Sequence, residues 1–262
     1  MNESIYPELL KIEKENKEAY LAIVIDTKGI TSCRKGAKMI IFPDGKITGT
    51  IGGGEVEHNL ITLVKEKKIQ KPTTFTFNLT GKNTQKDNEI KLNSICGGIV
   101  QVYIEPVNTK ERLFIFGAGH CAMELSALAS RCGFYVTVID DREEWLSKEK
   151  HPYAHRLIHC SFEEIEKNIK LNKNDYAVIM THSHNHDKTV LKQLINKELK
   201  YTGMMGSKHK VNEIFNQLTQ EGIQQEKLKK IYAPIGIPIG STTPPEIAVS
   251  ICAQLIKIKN NK

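Results

Sequence analysis

Leu113-Phe114-Ile115-Phe116-Gly117-Ala118-Gly119-His120-Cys121-Ala122 is the stretch from which the fold can be read. An apolar run rich in β-formers ends on a glycine, a second glycine follows, and a helix-like pattern starts at once. Strand, tight turn and helix N-terminus read this way in sequence. A second apolar run, Tyr135-Val136-Thr137-Val138-Ile139, closes on the acids Asp140 and Asp141. Together these form the opening βαβ unit of a dinucleotide-type domain. In Gly117-x-Gly119-x-x-Ala122 the first glycine permits the sharp turn, and the second lets the backbone approach a phosphate. Ala122 allows close helix-to-strand packing, and the helix N-terminus presents N–H groups to an anion. Gly117, Gly119, His120, Asp140 and Asp141 are therefore candidate ligand-binding residues. An α/β turn that binds nothing carries the same glycines.

Working outward, strand and helix patterns alternate to the C-terminus: 112–116, 119–132, 135–139, 155–159, 162–169, 175–180, 185–198, 200–204 and 207–221. Such alternation argues for a parallel sheet wrapped by helices. Pro244 and Pro245 open a last helix, as prolines in a first turn do. The segment Ala233–Gly240 has no helical period and is expected to close over the sheet's edge. Toward the N-terminus, the polar stretch Pro106 to Glu111 separates this domain (112–262) from a smaller one (1–106). There the reading is a helix over 5–19, strands at 21–25, 38–42, 46–50, 73–78 and 99–105, a helix ending near Lys67 and a loop over 79–94. The fold class is α/β: a C-terminal Rossmann-like parallel sheet with a smaller N-terminal α+β domain.

The chain's 262 residues are 40% hydrophobic and 26% charged, which is globular composition. The first twenty residues alternate Lys and Glu without an apolar core, so no secretory leader is expected. No run reaches the ~18 apolar residues of a membrane span. A cytoplasmic protein without membrane association is the expectation. The net charge of +7 is spread along the chain with no basic block interleaved with aromatics, which argues against nucleic acid and toward small anions. None of the six cysteines forms a CxxC pair, so no zinc knuckle or thioredoxin site is indicated.

Four further constellations bear on chemistry. Thr181-His182-Ser183-His184-Asn185-His186-Asp187 follows the strand Tyr176–Met180. It lies one swap from the metallo-β-lactamase pattern HxHxDH, and a strand-end loop facing the ligand crevice is the reading preferred over a metal site. No metal ligand is assigned. Gly203-Met204-Met205-Gly206-Ser207-Lys208-His209-Lys210 again runs from strand end through glycine to helix start, where Ser207 caps the helix or Gly206, Ser207 and Lys208 meet an anion. Gly52-Gly53-Gly54, before a helix holding Glu55 and Glu57, is another candidate anion cradle. Cys96 is followed by Gly97 and Gly98, which leave its sulfur unshielded and supply nearby N–H groups. Such a setting favours a thiolate or soft-metal ligand.

In this order the motifs resemble the xanthine dehydrogenase accessory factors, the XdhC/CoxI family, over nearly the whole chain. The matching pieces are Gly36–Met39, Gly49–Gly54 with Glu57, Cys96–Gly98 running to Glu105-Pro106, Phe116–His120 and Val138–Glu143. Thr181-His182 with His184 and Asp187, Gly203–Lys210, Ala233–Gly236 with Ile239-Gly240, and Thr243–Ser250 complete them. The resemblance implies a non-enzymatic chaperone that binds the molybdenum cofactor (molybdopterin) while a terminal sulfur ligand is installed. Such a protein then delivers it to a xanthine dehydrogenase-type molybdenum hydroxylase of purine catabolism. It also implies a cysteine desulfurase as a further partner and leaves a homodimer open. Where the family usually carries Ser-Pro-Arg this chain has Thr31-Ser32-Cys33, and where a cysteine often follows the glycine triplet it has Glu55. Cys96 is then the main thiol candidate, placed by expectation between the two domains near Gly52–Gly54. His186 exceeds the family pattern, so a selenium-dependent hydroxylase is an alternative client. The runner-up function is an NAD(P)-dependent oxidoreductase built on the Gly117–Gly119 turn and Asp140, with the histidine loop as proton relay.

Overall fold

A computed structural model describes residues 4–80, 89–92, 97–107 and 110–260, which fall into two compact units, residues 1–109 and 110–262. In the first unit the elements are α1 (Tyr6–Glu15), β1 (Ala19–Lys28), β2 (Lys38–Ile41), β3 (Ile47–Thr50), α2 (Gly54–Lys65), β4 (Thr73–Asn78), β5 (Glu89–Lys91) and β6 (Ile99–Val107). They build a mixed six-stranded sheet in the order β3-β2-β1-β6-β4-β5. Alternation along β1 and β2 decides which helix covers which face. Tyr20, Ala22, Val24, Met39 and Ile41 meet Val56, Leu60 and Val64 of α2, while Ala19 and Ile40 meet Ile12 of α1. A strand's side chains alternate between faces, so the two sets cannot mix.

The second unit runs β7 (Glu111–Phe116), α3 (His120–Arg131), β8 (Phe134–Asp140), β9 (Arg156–His159), α4 (Ile165–Asn168), β10 (Tyr176–Ile179), α5 (His184–Leu194), β11 (Tyr201–Met204), α6 (Lys208–Gln220), α7 (Gln225–Leu228) and α8 (Pro244–Asn260). Its five strands are all parallel, in the order β11-β10-β7-β8-β9. The chain moves outward from β7 through β8 to β9, then returns to the other side of β7 for β10 and β11. Strand order thus reverses between β7 and β10, and ligands of open α/β sheets bind outside the strand ends at such a point. Both faces are covered, which is why β8 is buried at every position and reads as a continuous apolar run. Leu113 and Ile115 pack with Leu125 of α3 and Ile251 and Leu255 of α8; Phe114 and Phe116 pack with Leu191 of α5 and Ile214 of α6.

Several elements depart from the sequence reading: α1, read over 5–19, stops at Glu15, and β1, read over 21–25, already begins at Ala19 and runs to Lys28. β5 lies inside the stretch read as a loop, because a three-residue strand is too short to show alternation. The helix expected over 162–169 is a single 3₁₀ turn (Phe162–Glu164) followed by the one-turn α4. α5 stops at Leu194, and Glu198 takes a left-handed backbone (φ 47°) before β11. The Ala233–Gly240 segment does run along the sheet's edge: the amide of Ile235 donates to Met204 O, and Gly236 packs on Ser250 of α8. No helix among the described residues is long and apolar enough to cross a membrane.

Candidate functional site

The glycine turn after β7 divides its labour. Gly117 has φ +111°, and a Cβ there would sit 2.2 Å from Met180 O and 2.9 Å from Thr181 Cα. Its place is dictated by the close approach of the β7 and β10 ends at the switch point. Gly119, by contrast, has φ −70°, and a Cβ there would meet nothing within 4 Å. It begins α3 without a side-chain cap, so this helix start offers N–H donors to open space. Ala122 is buried beneath it, as close packing requires.

Asp140 departs from expectation. It is fully buried rather than lining the crevice. Its Oδ2 accepts from Ala118 N at 2.6 Å and from the Arg142 guanidinium at 3.0 Å, and its Oδ1 accepts from Arg142 N and Nε at 3.0 and 2.9 Å. Burial pushes its pKa up, but hydrogen bonds from the Arg142 side chain and the Ala118 amide outweigh it, holding the carboxyl below the ordinary value. With both oxygens engaged, Asp140 braces the glycine turn instead of offering itself to a ribose. A second brace is His151, fully buried, with one ring nitrogen 3.2 Å from Ala118 O and the other 3.3 Å from Ser126 Oγ. Burial lowers its pKa, so it is held neutral.

Around the start of α3 lies a cationic and aromatic rim. Trp145 receives the edge of His120 (ring centroids 5.4 Å apart), the Arg142 guanidinium at 5.1 Å and Lys150 Nζ at 4.6 Å. Such a rim beside bare helix N–H groups suits an anionic ligand that carries a flat ring system.

The histidine loop follows β10 and lies across the switch point from the glycine turn. Thr181 is held by Asp187, whose Oδ1 accepts from Thr181 N (2.9 Å) and Oγ1 (2.8 Å), while Lys210 of α6 pairs with Asp187 Oδ2. Ser183 caps α5 by accepting from His186 N at 3.2 Å. Asp187 is fully buried and structural, and His184 is exposed at the first position of α5. His182 and His186 turn together: their ring centroids are 4.7 Å apart, with Phe162 at 6.4 and 5.3 Å respectively. They meet Asp141, the less buried member of the acid pair, with Nε2 of His182 3.1 Å from Oδ1 and Nδ1 of His186 3.5 Å from Oδ2. At the next strand end Ser207 caps α6, accepting from Lys210 N at 3.2 Å, while Ser207 and Lys208 stay exposed and Gly206 half-buried.

In the N-terminal unit the candidate cradle is filled by its own chain. Glu57 Oε1 accepts from Ile51 N (2.9 Å), Gly53 N (2.8 Å) and Thr50 Oγ1 (2.5 Å). Burial raises the Glu57 pKa, but these hydrogen bonds prevail and it is lowered. Gly52 (φ +126°) leaves 2.7 Å between a would-be Cβ and both Cys33 Cα and Ser32 O, and Gly98 leaves 2.6 Å to Ile30 O. These two glycines serve chain-on-chain packing. Gly53, Gly54 and Gly97 border open space. Cys96 lies outside the described residues, as do 93–95.

Of the described cysteines, Cys33, Cys160 and Cys252 are buried, as small apolar residues are. Burial pushes the thiols of Cys121 and Cys160 up, and burial beside Cys132 pushes Cys252 up to about 12. Elsewhere, a cavity of about 590 Å³ lined by Leu194, Lys200, Tyr201 and Tyr232 lies along edge strand β11, away from the switch-point end of the sheet. Sequence reasoning missed Trp145 and His151 as parts of the site, and it named Arg142 only within a family-like motif and His186 only within the histidine loop. Arg142 and Trp145 had a signal, since both closely follow the acid pair that ends β8. His151 had none, because it reaches Ala118 from a loop between β8 and β9.

Comparison with known proteins gives the family. The XdhC Rossmann domain profile matches residues 113–255, and the XdhC and CoxI family profile matches residues 13–78. The Escherichia coli (strain K12) protein YqeB is 32% identical over 260 residues, covering 98% of this chain and 47% of that protein. A Bacillus subtilis (strain 168) protein, named as a probable xanthine dehydrogenase subunit, is 31% identical over 158 residues, 60% of this chain and 46% of its own length. The chain thus spans about half the length of the curated relatives it matches. A crystal structure titled as a xanthine dehydrogenase from Bacillus halodurans superposes with TM-score 0.55 at 23% identity, over 99% of this chain and 97% of that one, and shares the fold. With the Rossmann profile spanning residues 113–255, more than half of the chain, the chain belongs to the XdhC/CoxI family.

Proposed function

We propose that this chain is an accessory protein to a xanthine dehydrogenase-type molybdenum hydroxylase, binding the molybdenum cofactor and delivering it after sulfuration. The observation that carries the reading is family membership in both halves of the chain, in order. The site's chemistry fits such a ligand. Gly119 borders open space at an uncapped helix start, suited to the cofactor's phosphate, and Trp145 with His120, Arg142 and Lys150 suits a flat pterin. When bound, the cofactor would bring a molybdenum centre able to accept a terminal sulfur. The residues of the C-terminal unit that would hold it are Gly119, His120 and Trp145; the resemblance separately proposes Cys96 as a soft thiol of the N-terminal unit. A cysteine desulfurase would supply the sulfur. The nicotinamide reading loses support because Asp140, its ribose-binding acid, is fully engaged.

The test is retention of molybdopterin by the purified full chain after gel filtration, with activation of an apo-hydroxylase as second readout. Cys96→Ser and Gly119→Val should each fold normally, retain less cofactor and activate less. If the parent chain retains no molybdopterin, or both variants match it in retention and activation, the proposal fails; copurified nicotinamide nucleotide would favour the oxidoreductase.

A further inference from the structure

Two histidines after β10 and one acid after β8 meet in a single place, although the sequence separates them by some forty residues. The ligand-type atoms of Asp141, His182 and His186 all lie within 4.8 Å of one another. Two of the edges are 3.1 and 3.5 Å. Bonds of ~2.0–2.1 Å to one ion at tetrahedral angles put donors roughly 3.4 Å apart. The two imidazole–carboxylate edges, one to each oxygen of Asp141, bracket that value, and no edge of the triad exceeds 4.8 Å.

The cluster also has a defect that an ion would repair. His186 Nδ1 is buried and makes no hydrogen bond. A buried polar atom left so is costly and rare in native proteins. The Phe162 ring lies 5.3 Å from the same imidazole, centroid to centroid, and adds apolar surface beside it. Competing partners are elsewhere engaged. Arg142 Nε stands 4.0 Å from Asp141 Oδ1 but gives its hydrogen bonds to Asp140. Asp187, the carboxylate adjacent in sequence, is taken by Thr181 and Lys210.

We infer that Asp141, His182 and His186 bind one divalent first-row transition ion, zinc being the best suited to two imidazoles and a carboxylate. Three protein ligands leave coordination positions open, the arrangement of reactive rather than structural metal sites. β8 and β10 flank β7 in the sheet, so the cluster bridges the carboxyl end of β7. An ion there faces the crevice in which ligands of such sheets bind. Its free positions would take water or an oxygen or sulfur donor of a bound small molecule. The sequence assigns no metal because the histidine loop is weighed there alone; Asp141 enters only through the fold.

The test uses the full chain, stripped with chelator and dialysed metal-free, then titrated with Zn²⁺ by calorimetry and with Co²⁺ by visible absorption. The expected result is one equivalent of either ion, and Co²⁺ d–d bands without thiolate charge transfer. Asp141→Ala, His182→Ala and His186→Ala should each weaken binding by more than the ~100-fold that losing an outer-shell partner can reach. His184→Ala should bind as the parent does. Circular dichroism reports folding, and if one variant misfolds the other two decide. Absence of binding, an affinity unmoved by His186→Ala, or a thiolate–cobalt band overturns the inference.

Discussion

Replacing Asp140 by Asn tests whether this acid braces the glycine turn. The substitution preserves shape but removes the charge and makes one terminal atom a donor. Four hydrogen bonds converge on the carboxylate, from Ala118 N, Arg142 N, Arg142 Nε and the Arg142 terminal nitrogen. An amide oxygen can keep one pair of these donors, and the new NH₂ then faces the other. Arg142 is 28% exposed and can turn to solvent. Ala118 N is buried and cannot, so the amide oxygen stays toward it and the NH₂ faces Arg142 N, a backbone donor that loses its acceptor. An unsatisfied buried donor costs about 1–3 kcal/mol. Breaking a buried pair outright costs about 3–5 kcal/mol, and solvent access to Arg142 reduces that figure. The expected loss is about 3 kcal/mol. At about 2–4 °C per kcal/mol for a unit of this size, the melting temperature should fall by roughly 6–12 °C. Calorimetry of parent, Asp140→Asn and Asp141→Asn measures it, with Asp141→Asn close to parent. The depressed pKa adds a sign: the carboxylate's contribution is present above the unfolded value of 3.8 and fades as pH falls through the lower folded value, and Asp140→Asn should lose that portion of the pH dependence. Equal stability of Asp140→Asn and parent, or equal destabilisation by both variants, would refute the bracing role.

Three other outcomes are expected. Gly117→Ala, which drives a Cβ into Met180 O at positive φ, should cost about 2–4 kcal/mol in denaturant unfolding; Gly119→Val, with open space around it, should stay within about 1 kcal/mol. The buried neutral His151 makes stability fall as pH drops below the unfolded histidine value of 6.5, so His151→Phe should flatten the melting temperature between about pH 7 and 5, and an unchanged slope would rule this out. Glu57→Ala should cost about 1–2 kcal/mol through the lost acceptor for Ile51 and Gly53 amides, whereas Glu57→Gln, which keeps Oε1, should cost less than half of that by thermal melting.

The parallel sheet was legible in the sequence because its determinants are local. Continuous apolar runs, glycines at strand ends and caps such as Ser183 and Ser207 act within a few residues of themselves, and the structure puts strands and helices where they point. The glycine turn was legible for the same reason. What local pattern cannot carry is which end of which side chain meets another across the sheet. The sequence offered two adjacent acids and three alternating histidines with nothing to rank them. Strand twist and the pairing of β7 with both β8 and β10 sent Asp140 inward to Ala118 and turned Asp141 toward His182 and His186. Likewise the glycine triplet was legible as a helix start, but only the fold pressed Gly52 against Cys33. Periodicity and turn chemistry belong to the chain alone, so the sequence by itself determined the elements and their order. Contacts between strand ends require the sheet to exist first, so the partners at the site were decided by tertiary structure.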